Sequence, residues 1–302
     1  MMALKRENRI RHSVGDKVFL GGVYLFLGIF VFTILYPLIY VVSCSFSSPM
    51  ALISGRVFFL PVDPGLQGYE AVFRNEKVWN GYWNTIVYTL VGTLIGTAVT
   101  MVGAFVLSRR EFPMRRGLTT FFMVTMFFNG GTVPTYLLIQ KLHMLNSIWA
   151  LVLPGAFSVW LAIVGKTFIQ SSIPEELFEA ASLDGSDYFQ YLRTVILPLS
   201  KPILAVLALN FAISHWNSYY NALLYMSRTN KYPLQLVLRE ILLQNTVSLE
   251  RIGDVQDAAS RQYLSELLKY SLIVVSSAPL ICVYPFIQKY FIKGVMIGSV
   301  KG

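Results

Sequence analysis

The chain has 302 residues and a net charge of +9, and 55% of its residues are hydrophobic while 14% are charged. With a mean hydropathy of +0.55, this composition excludes a pair of soluble domains, which the length alone would allow, and indicates an integral membrane protein. The positive charge would also suit a nucleic-acid-binding protein, so its distribution along the chain must decide.

Six apolar stretches are each long enough for a membrane-crossing helix, which takes about 20 residues. They lie near residues 18–45, 83–107, 118–139, 148–170, 202–226 and 268–292. We therefore predict an all-α domain of six transmembrane helices over residues 18–292, with an N-terminal segment 1–17 and a C-terminal tail 293–302. Longer loops at 46–82 and 227–267 would lie outside the cell, and the second of them contains a predicted amphipathic helix, LQLVLREILLQN.

Basic residues concentrate before the first span, in the second loop and at the end of the chain. They are Lys5, Arg6, Arg9, Arg11 and Lys17, then Arg109, Arg110, Arg115 and Arg116, and finally Lys289, Lys293 and Lys301. The positive-inside rule places both termini and the segment 172–202 in the cytoplasm. The charge therefore sets orientation in the membrane, and we expect no nucleic-acid partner.

Small residues and cysteines in the spans favour packing roles. Gly92, Gly96 and Gly103 on the second span would let neighbouring helices approach closely. Cys44 and Cys282, in the first and last spans, are interpreted as packing residues rather than as a disulfide or a metal pair.

The third span is interrupted at Asn129, Gly130, Gly131, Thr132 and Pro134. A broken helix is tolerated in a bilayer mainly where protein or a water-filled cavity covers its free backbone groups. Asn129 and Thr132 are therefore candidate pathway residues, with a simple interhelical kink as the alternative.

The fourth span contains Gly165-Lys166-Thr167, which resembles the end of a phosphate-binding loop. Trp160 stands where that loop requires its first glycine, and no strand precedes it, so we predict no nucleotide site and no cofactor in this chain. Lys166 is interpreted as a side chain that reaches the cytoplasmic interface. Trp160 is a further candidate for the pathway.

The segment 172–202 separates two apolar spans and is predicted to form two short helices around Gly185; we call it the helix-Gly-helix segment. Ser172, followed by Pro174 and Glu175, predicts a capping box at its start, and Ser186 with Asp187 can open the second helix, which Pro198 would end. An amphipathic connector on the membrane surface is the alternative. A DNA-binding helix-turn-helix is excluded because acidic residues predominate.

The fifth span carries polar and aromatic residues that would suit a sugar, which has apolar C–H faces and a rim of hydroxyl groups. Asn210, Ser214, His215 and Asn217 are the pathway candidates. Tyr219 and Tyr220 equally suit the aromatic belt at the outer interface. None of the sixteen carboxylates falls inside a predicted span, which disfavours a proton-coupled carrier and indicates that the energy comes from another protein.

The helix-Gly-helix segment resembles the EAA signature of permease subunits of bacterial ATP-driven (ABC) importers. The matching residues are Glu179, Ala180, Ala181, Gly185, Leu197 and Pro198, with Val195 where the family usually has isoleucine. FNGGTVPTYLLIQKLHMLNSIWALVLPGAF, YWNTIVYT and YFIKGVMIGSVKG resemble maltose-transporter-type sugar permeases, and specifically the lipo- or polysaccharide (Lpl-type) branch.

This resemblance implies a type I importer permease with a MetI-like bundle in the bacterial cytoplasmic membrane, and no catalytic activity. It implies four kinds of partner: a second permease that completes a heterodimer, two ATPase subunits that bind ATP and Mg, an extracellular solute-binding protein, and an oligosaccharide. The ATPase-coupling positions would be Glu179, Ala180, Ala181, Asp184, Gly185, Tyr188, Phe189 and Pro198, with a tail contact from Gly298, Lys301 and Gly302. The alternatives are a permease of the same fold for a non-sugar solute, such as a phosphodiester, and a secondary carrier.

Overall fold

The computed structural model describes residues 13–128, 130–250 and 268–285, and every regular element in them is a helix. The helices before the first interruption are α1 (Val14–Phe46), α2 (Pro49–Ile53), α3 (Gln67–Arg74), α4 (Glu76–Ser108) and α5 (Arg115–Phe127). After it come α6 (Thr132–Lys141), α7 (Ile148–Val152), a 3₁₀ turn (Leu153–Gly155), α8 (Val159–Ser172) and α9 (Glu176–Leu183). The all-α prediction is confirmed.

The remaining helical stretch starts with α10 (Tyr188–Tyr191), which continues through a π-helical turn (Leu192–Ile196) into α11 (Leu197–Leu199). Then follow α12 (Lys201–Trp216), α13 (Tyr220–Tyr225), a 3₁₀ turn (Thr229–Lys231), α14 (Leu234–Glu250) and α15 (Leu268–Pro285). The predicted amphipathic helix of the second long loop is thus present as α14. The first long loop contains two short helices, α2 and α3.

Three helices, α1, α4 and α15, are long and apolar enough to cross a membrane, and three bent pairs bring the number of candidate spans to six. The pairs are Arg115–Phe127 with Thr132–Lys141, Ile148–Gly155 with Val159–Ser172 (bent by 50°), and Tyr188–Leu199 with Lys201–Trp216 (bent by 85°). The fifth predicted span, near residues 202–226, contains two helices, α12 and α13. α12 ends at Trp216, where the Asn217 N–H bonds back to the Ile213 carbonyl at 3.1 Å, and α13 begins at Tyr220.

The chain divides into two compact units, the first of which comprises the described residues 13–70 and 268–274. Ser13 and Asp16 form a capping box that starts α1, and most apolar side chains of that helix are exposed, as a lipid-facing helix requires. Cys44 packs with Ala51 and Val57 in a small core. The packing role predicted for Cys44 is therefore confirmed, whereas Cys282 is exposed and that part of the prediction is wrong.

The second unit comprises the described residues 71–128, 130–250 and 275–285 and is built around α4, which packs against α8, α12 and α14. The glycines of α4 are required by these contacts. A methyl group on Gly96 would lie 2.6 Å from the Phe211 ring, one on Gly103 would lie 2.6 Å from Phe157, and one on Gly92 would overlap His215. The predicted close approach of helices is confirmed at Gly92 and Gly96, which face α12, whereas Gly103 faces Phe157 in the turn before α8.

Candidate functional site

The first helix of the helix-Gly-helix segment, α9, ends in a Schellman motif at Gly185. The Ser186 N–H donates to the Ala181 carbonyl at 2.9 Å and the Gly185 N–H donates to the Ser182 carbonyl at 3.1 Å. Gly185 has a φ of +78°, which a residue with a side chain adopts only at an energetic cost. The predicted turn at Gly185 is therefore present, and its geometry explains the need for glycine.

The start of α9 differs from the predicted capping box. Ser172 is the last residue of α8, and α9 is preceded by Glu175, whose side chain makes no capping hydrogen bond. α8 extends further than expected because its apolar face, including Phe168 and Ile169, is buried in the core up to its last turns. Burial of that face outweighs the local capping preference of Ser172.

The second helix begins as predicted, because the Asp187 carboxylate accepts a hydrogen bond from the Gln190 N–H at 2.7 Å. It does not end at Pro198. The π-helical turn Leu192–Ile196 precedes this proline, the helix continues to Leu199, and α12 starts at Lys201 after a single residue. The second helix is therefore joined almost directly to a membrane helix.

The coupling residues predicted from the resemblance lie on the exposed side of the helix-Gly-helix segment. Glu179, Ala180, Asp184, Gly185, Tyr188, Phe189 and Pro198 are exposed, and Ala181 is half-buried. Leu183, next to the turn, is 89% exposed, and Phe189 is 71% exposed. The segment thus presents apolar side chains on either side of a tight turn, which is the surface expected of a docking site.

The opposite side of the segment is fixed by Arg109, the residue that follows α4. Its guanidinium carbon lies 5.0 Å from the centre of the Phe178 ring and 5.6 Å from the rings of Phe105 and Tyr191. Phe178 belongs to α9 and Tyr191 to α10, and their rings meet edge to face at 5.1 Å. A cation enclosed by three aromatic rings therefore ties both short helices to the end of α4.

Glu175 provides the counter-charge for this cation. Its carboxylate lies 3.6 Å from Nη1 of Arg109 and 3.8 Å from Nε of Arg110. The Arg109 side chain is only 7% exposed, whereas that of Arg110 is 77% exposed.

A polar cleft of about 480 Å³ lies between α8, α12 and the loop that follows α12. Five of the predicted pathway residues line it, together with Ser158, Tyr219, Tyr220 and Asn221. The five are Trp160, Asn210, Ser214, His215 and Asn217. The structure thus brings the candidates from the fourth and fifth spans together in one site.

α12 separates this polar cleft from an apolar groove. Leu209, Ile213 and Trp216 line the groove. Each directly precedes a residue that lines the cleft, namely Asn210, Ser214 and Asn217. Within the cleft, Nδ2 of Asn210 donates to the Val206 carbonyl at 2.9 Å and Nδ2 of Asn217 donates to the Ile213 carbonyl at 3.1 Å. Both amides consequently keep a carbonyl oxygen for a ligand hydroxyl group.

The other predicted residues fall elsewhere. Thr132 lines a smaller cleft of about 260 Å³, which shares Gly155, Tyr220 and Asn221 with the polar cleft. Asn129 and the tail residues Gly298, Lys301 and Gly302 lie outside the described residues. Among the residues that the structure describes, no group of three or more His, Cys, Asp or Glu side chains could hold a metal ion.

Sequence reasoning missed Arg109, Glu175 and Phe178 as parts of the site. From the sequence, Arg109 is one of several basic residues that predict orientation in the membrane. Its position directly after an apolar helix could have indicated this role. An arginine is rarely buried unless aromatic rings or carboxylates contact its guanidinium group.

Helices able to cross a membrane, a polar cleft between them and an exposed helix-Gly-helix segment are features of a membrane transport permease. The chain belongs to the family described as the binding-protein-dependent transport system inner membrane component, which matches residues 102–297. It is therefore the membrane-spanning permease subunit of a binding-protein-dependent importer, and the secondary-carrier alternative is wrong.

Individual relatives agree with this assignment. The polygalacturonan/rhamnogalacturonan transport system permease protein YtcP of Bacillus subtilis is 35% identical over 93% of this chain and 97% of its own length. The protein LplC of Bacillus subtilis is 36% identical over 96% of this chain and 95% of its own. A bacterial ABC transporter involved in the import of the acidic polysaccharide alginate has a chain that superposes with a TM-score of 0.84 and 34% identity, covering 94% of this chain and all of that one. The predicted resemblance to ABC importer permeases is confirmed.

Proposed function

We propose that this permease moves an oligosaccharide through the polar cleft. It would pair with a second, non-identical permease, with two ATPase subunits on the side of the helix-Gly-helix segment and a solute-binding protein on the other. Both termini would be cytoplasmic, as the distribution of basic residues suggests. ATP and Mg would be bound by the ATPase subunits and not by this chain.

The observation that carries the proposal is the chemistry of the polar cleft. Trp160, Tyr219 and Tyr220 offer aromatic faces, and Asn210 and Ser214 offer hydrogen-bonding groups between them. None of its lining residues, all within the described part of the chain, is a lysine, an arginine or a carboxylate. Such a surface suits stacking against sugar rings and hydrogen bonding to hydroxyl groups, whereas a phosphodiester would be better served by cations.

The relatives support the same class of substrate. Two of the similar proteins are named for transport of polygalacturonan or rhamnogalacturonan and for import of alginate. If this chain moves fragments of an acidic polysaccharide, its cleft would bind the carboxylates through neutral donors such as Ser214. Without fixed cations, the cleft would bind each sugar unit weakly. Weak binding would let the oligosaccharide move through the cleft instead of remaining bound.

The helix-Gly-helix segment would couple the cleft to ATP. Docking on an ATPase through Leu183 and Phe189 would allow closure of the ATPase pair to displace α9 and α10. Because the second short helix is separated from α12 by Ser200 alone, this displacement would reach the helix that carries Asn210 and Ser214. Alternating access would follow from movement of α12 relative to α4 and α8.

The test is uptake of labelled oligosaccharides by the reconstituted importer. Asn210→Leu and Ser214→Ala should lower uptake at least tenfold while the ATPase subunits still co-purify. Ile213→Leu, on the apolar side of α12, is the matched control and should transport normally. Normal uptake by both cleft variants would contradict the proposal, and uptake of a phosphodiester but of no neutral or uronate sugar would favour the non-sugar alternative.

A further inference from the structure

A basic pocket of about 300 Å³ lies between α5 and α8 at the end of the bundle that carries the helix-Gly-helix segment. It is lined by Arg115, Arg116, Thr119, Thr120 and Lys166. Its position follows from α8, which ends at Ser172 just before that segment, and from Gln170, which donates to the Ser108 carbonyl at the end of α4 at 3.1 Å. The pocket is separate from the polar cleft and shares no lining residue with it.

The charges in this pocket are not balanced. Three cationic side chains converge, and within the described residues none of the three forms an ion pair with a carboxylate, whereas Arg109 and Arg110 share Glu175. Lys166 lies within α8 and reaches the hydroxyl oxygen of Thr119 at 3.5 Å. That hydroxyl donates in turn to the Arg115 carbonyl at 2.7 Å, so the lysine makes only a neutral contact there. Like charges in a partly desolvated pocket repel one another, and an anion placed between them would lower the free energy.

The donors suit a phosphate group. Guanidinium groups bind phosphate oxygens through paired N–H donors, and an ammonium group adds a compact charge. α5 begins here and spans 13 residues, and its N-cap residue, Met114, makes no side-chain capping bond.

The surface above the pocket indicates that the anion carries an apolar tail. Arg116, Thr120, Val124 and Phe127 follow one another at helical spacing along one side of α5. Val124 is 48% exposed and Phe127 is 84% exposed. A cation, a hydroxyl group and then exposed apolar side chains match a phospholipid, with its headgroup at the helix end and its acyl chain along the helix.

We infer that this pocket binds the phosphodiester headgroup of an anionic phospholipid in the leaflet next to the helix-Gly-helix segment. The lipid would bridge α5 and α8, adding to the contact of Lys166 with Thr119. It would therefore stabilise the end of the bundle to which the helix-Gly-helix segment is attached. This inference is independent of which solute the importer moves.

The test is lipid retention by the importer complex reconstituted in nanodiscs that contain equal amounts of phosphatidylglycerol and phosphatidylcholine. Native mass spectrometry after release should show phosphatidylglycerol retained at least tenfold over phosphatidylcholine. Lys166→Gln and Arg116→Gln should each abolish this preference. Arg193→Gln, which removes one exposed cation from the helix-Gly-helix segment, is the matched control and should retain the lipid as the unmodified chain does.

Two further arms keep the inference falsifiable. If Lys166→Gln fails to assemble, Thr120→Val, which removes one hydroxyl group without a change of charge, should still weaken retention several-fold. A photoactivatable phosphatidylglycerol should crosslink to the peptide 115–127. Equal retention by the Lys166→Gln and Arg116→Gln variants would overturn the inference, and so would full displacement of the lipid by millimolar inorganic phosphate, which would indicate a site for the free anion.

Discussion

Replacement of Arg109 by methionine should loosen the helix-Gly-helix segment without unfolding the bundle. The change keeps an apolar chain of similar length but removes the cation from between Phe105, Phe178 and Tyr191. A desolvated cation–π site contributes about 2 kcal/mol. Breaking a buried ion pair costs about 3–5 kcal/mol. Glu175 is 36% exposed and keeps its contact with Arg110, so loss of the Arg109–Glu175 pair should cost less than this.

The expected loss of local stability is therefore about 2–3 kcal/mol, which corresponds to roughly 30- to 150-fold faster amide exchange in the protected helices of this segment. Hydrogen-exchange mass spectrometry of the reconstituted complex measures this directly. The matched control is Arg110→Met, which removes a cation 3.8 Å from the same carboxylate but from a side chain that is 77% exposed. Its effect should stay below about 1 kcal/mol because solvent screens the pair.

A double-mutant cycle isolates the ion pair from the ring contacts. Glu175→Gln alone should cost less than Arg109→Met, and the double variant should cost less than the sum of the two, because each single change removes the same interaction. Unchanged exchange in α9 and α10 of Arg109→Met would refute the reasoning, since it would mean that core packing alone holds the segment. If Arg110→Met has the same effect as Arg109→Met, the positive charge near Glu175 stabilises the segment. Burial of Arg109 between the rings would then contribute nothing.

Three further changes have defined outcomes. Gly185→Ala should destabilise the turn by about 1–2 kcal/mol and lower uptake. Gly185→Asn should lower uptake less, because asparagine tolerates a positive φ. Equal uptake by both variants would contradict the role of this turn. Gly96→Ala should lower the thermal midpoint in detergent by overpacking against Phe211, at a cost of about 1–3 kcal/mol, while Gly28→Ala, in open space on α1, should not. Tyr191→Phe should leave exchange protection unchanged near neutral pH, because the phenol oxygen is buried without a hydrogen-bond partner among the described residues.

Much of the fold was predictable because the membrane imposes a simple rule on the sequence. A bilayer requires long apolar helices, and the first, second and last spans appear as α1, α4 and α15. The glycines of α4 were also informative, since small residues at regular spacing mark close helix contacts. In each case the signal lies within one stretch of sequence.

The missed features depend on partners that are distant in sequence. Nothing near Arg109 indicates that Phe178 and Tyr191 fold around it, because they lie about seventy and about eighty residues later. The start of α9 was mispredicted for a related reason. Ser172 is a good cap locally, but packing of α8 against α4 decides where that helix ends.

In the proposed mechanism, movement would pass from the helix-Gly-helix segment to the polar cleft through one helix, α12. Asn210 lies ten residues after Ser200, about 15 Å along α12 at the rise of an α-helix. The stretch Tyr188–Leu199 and α12 meet at Ser200 with a bend of 85°. Ile196 before the bend and Ile203 after it are buried in one core cluster. That cluster also contains Phe105 and Tyr191, two of the rings around Arg109. A close-packed junction transmits displacement instead of absorbing it. Movement of the exposed turn at Gly185 should therefore change the position of Asn210 and Ser214 as one rigid step, provided that Arg109 keeps α9 and α10 together.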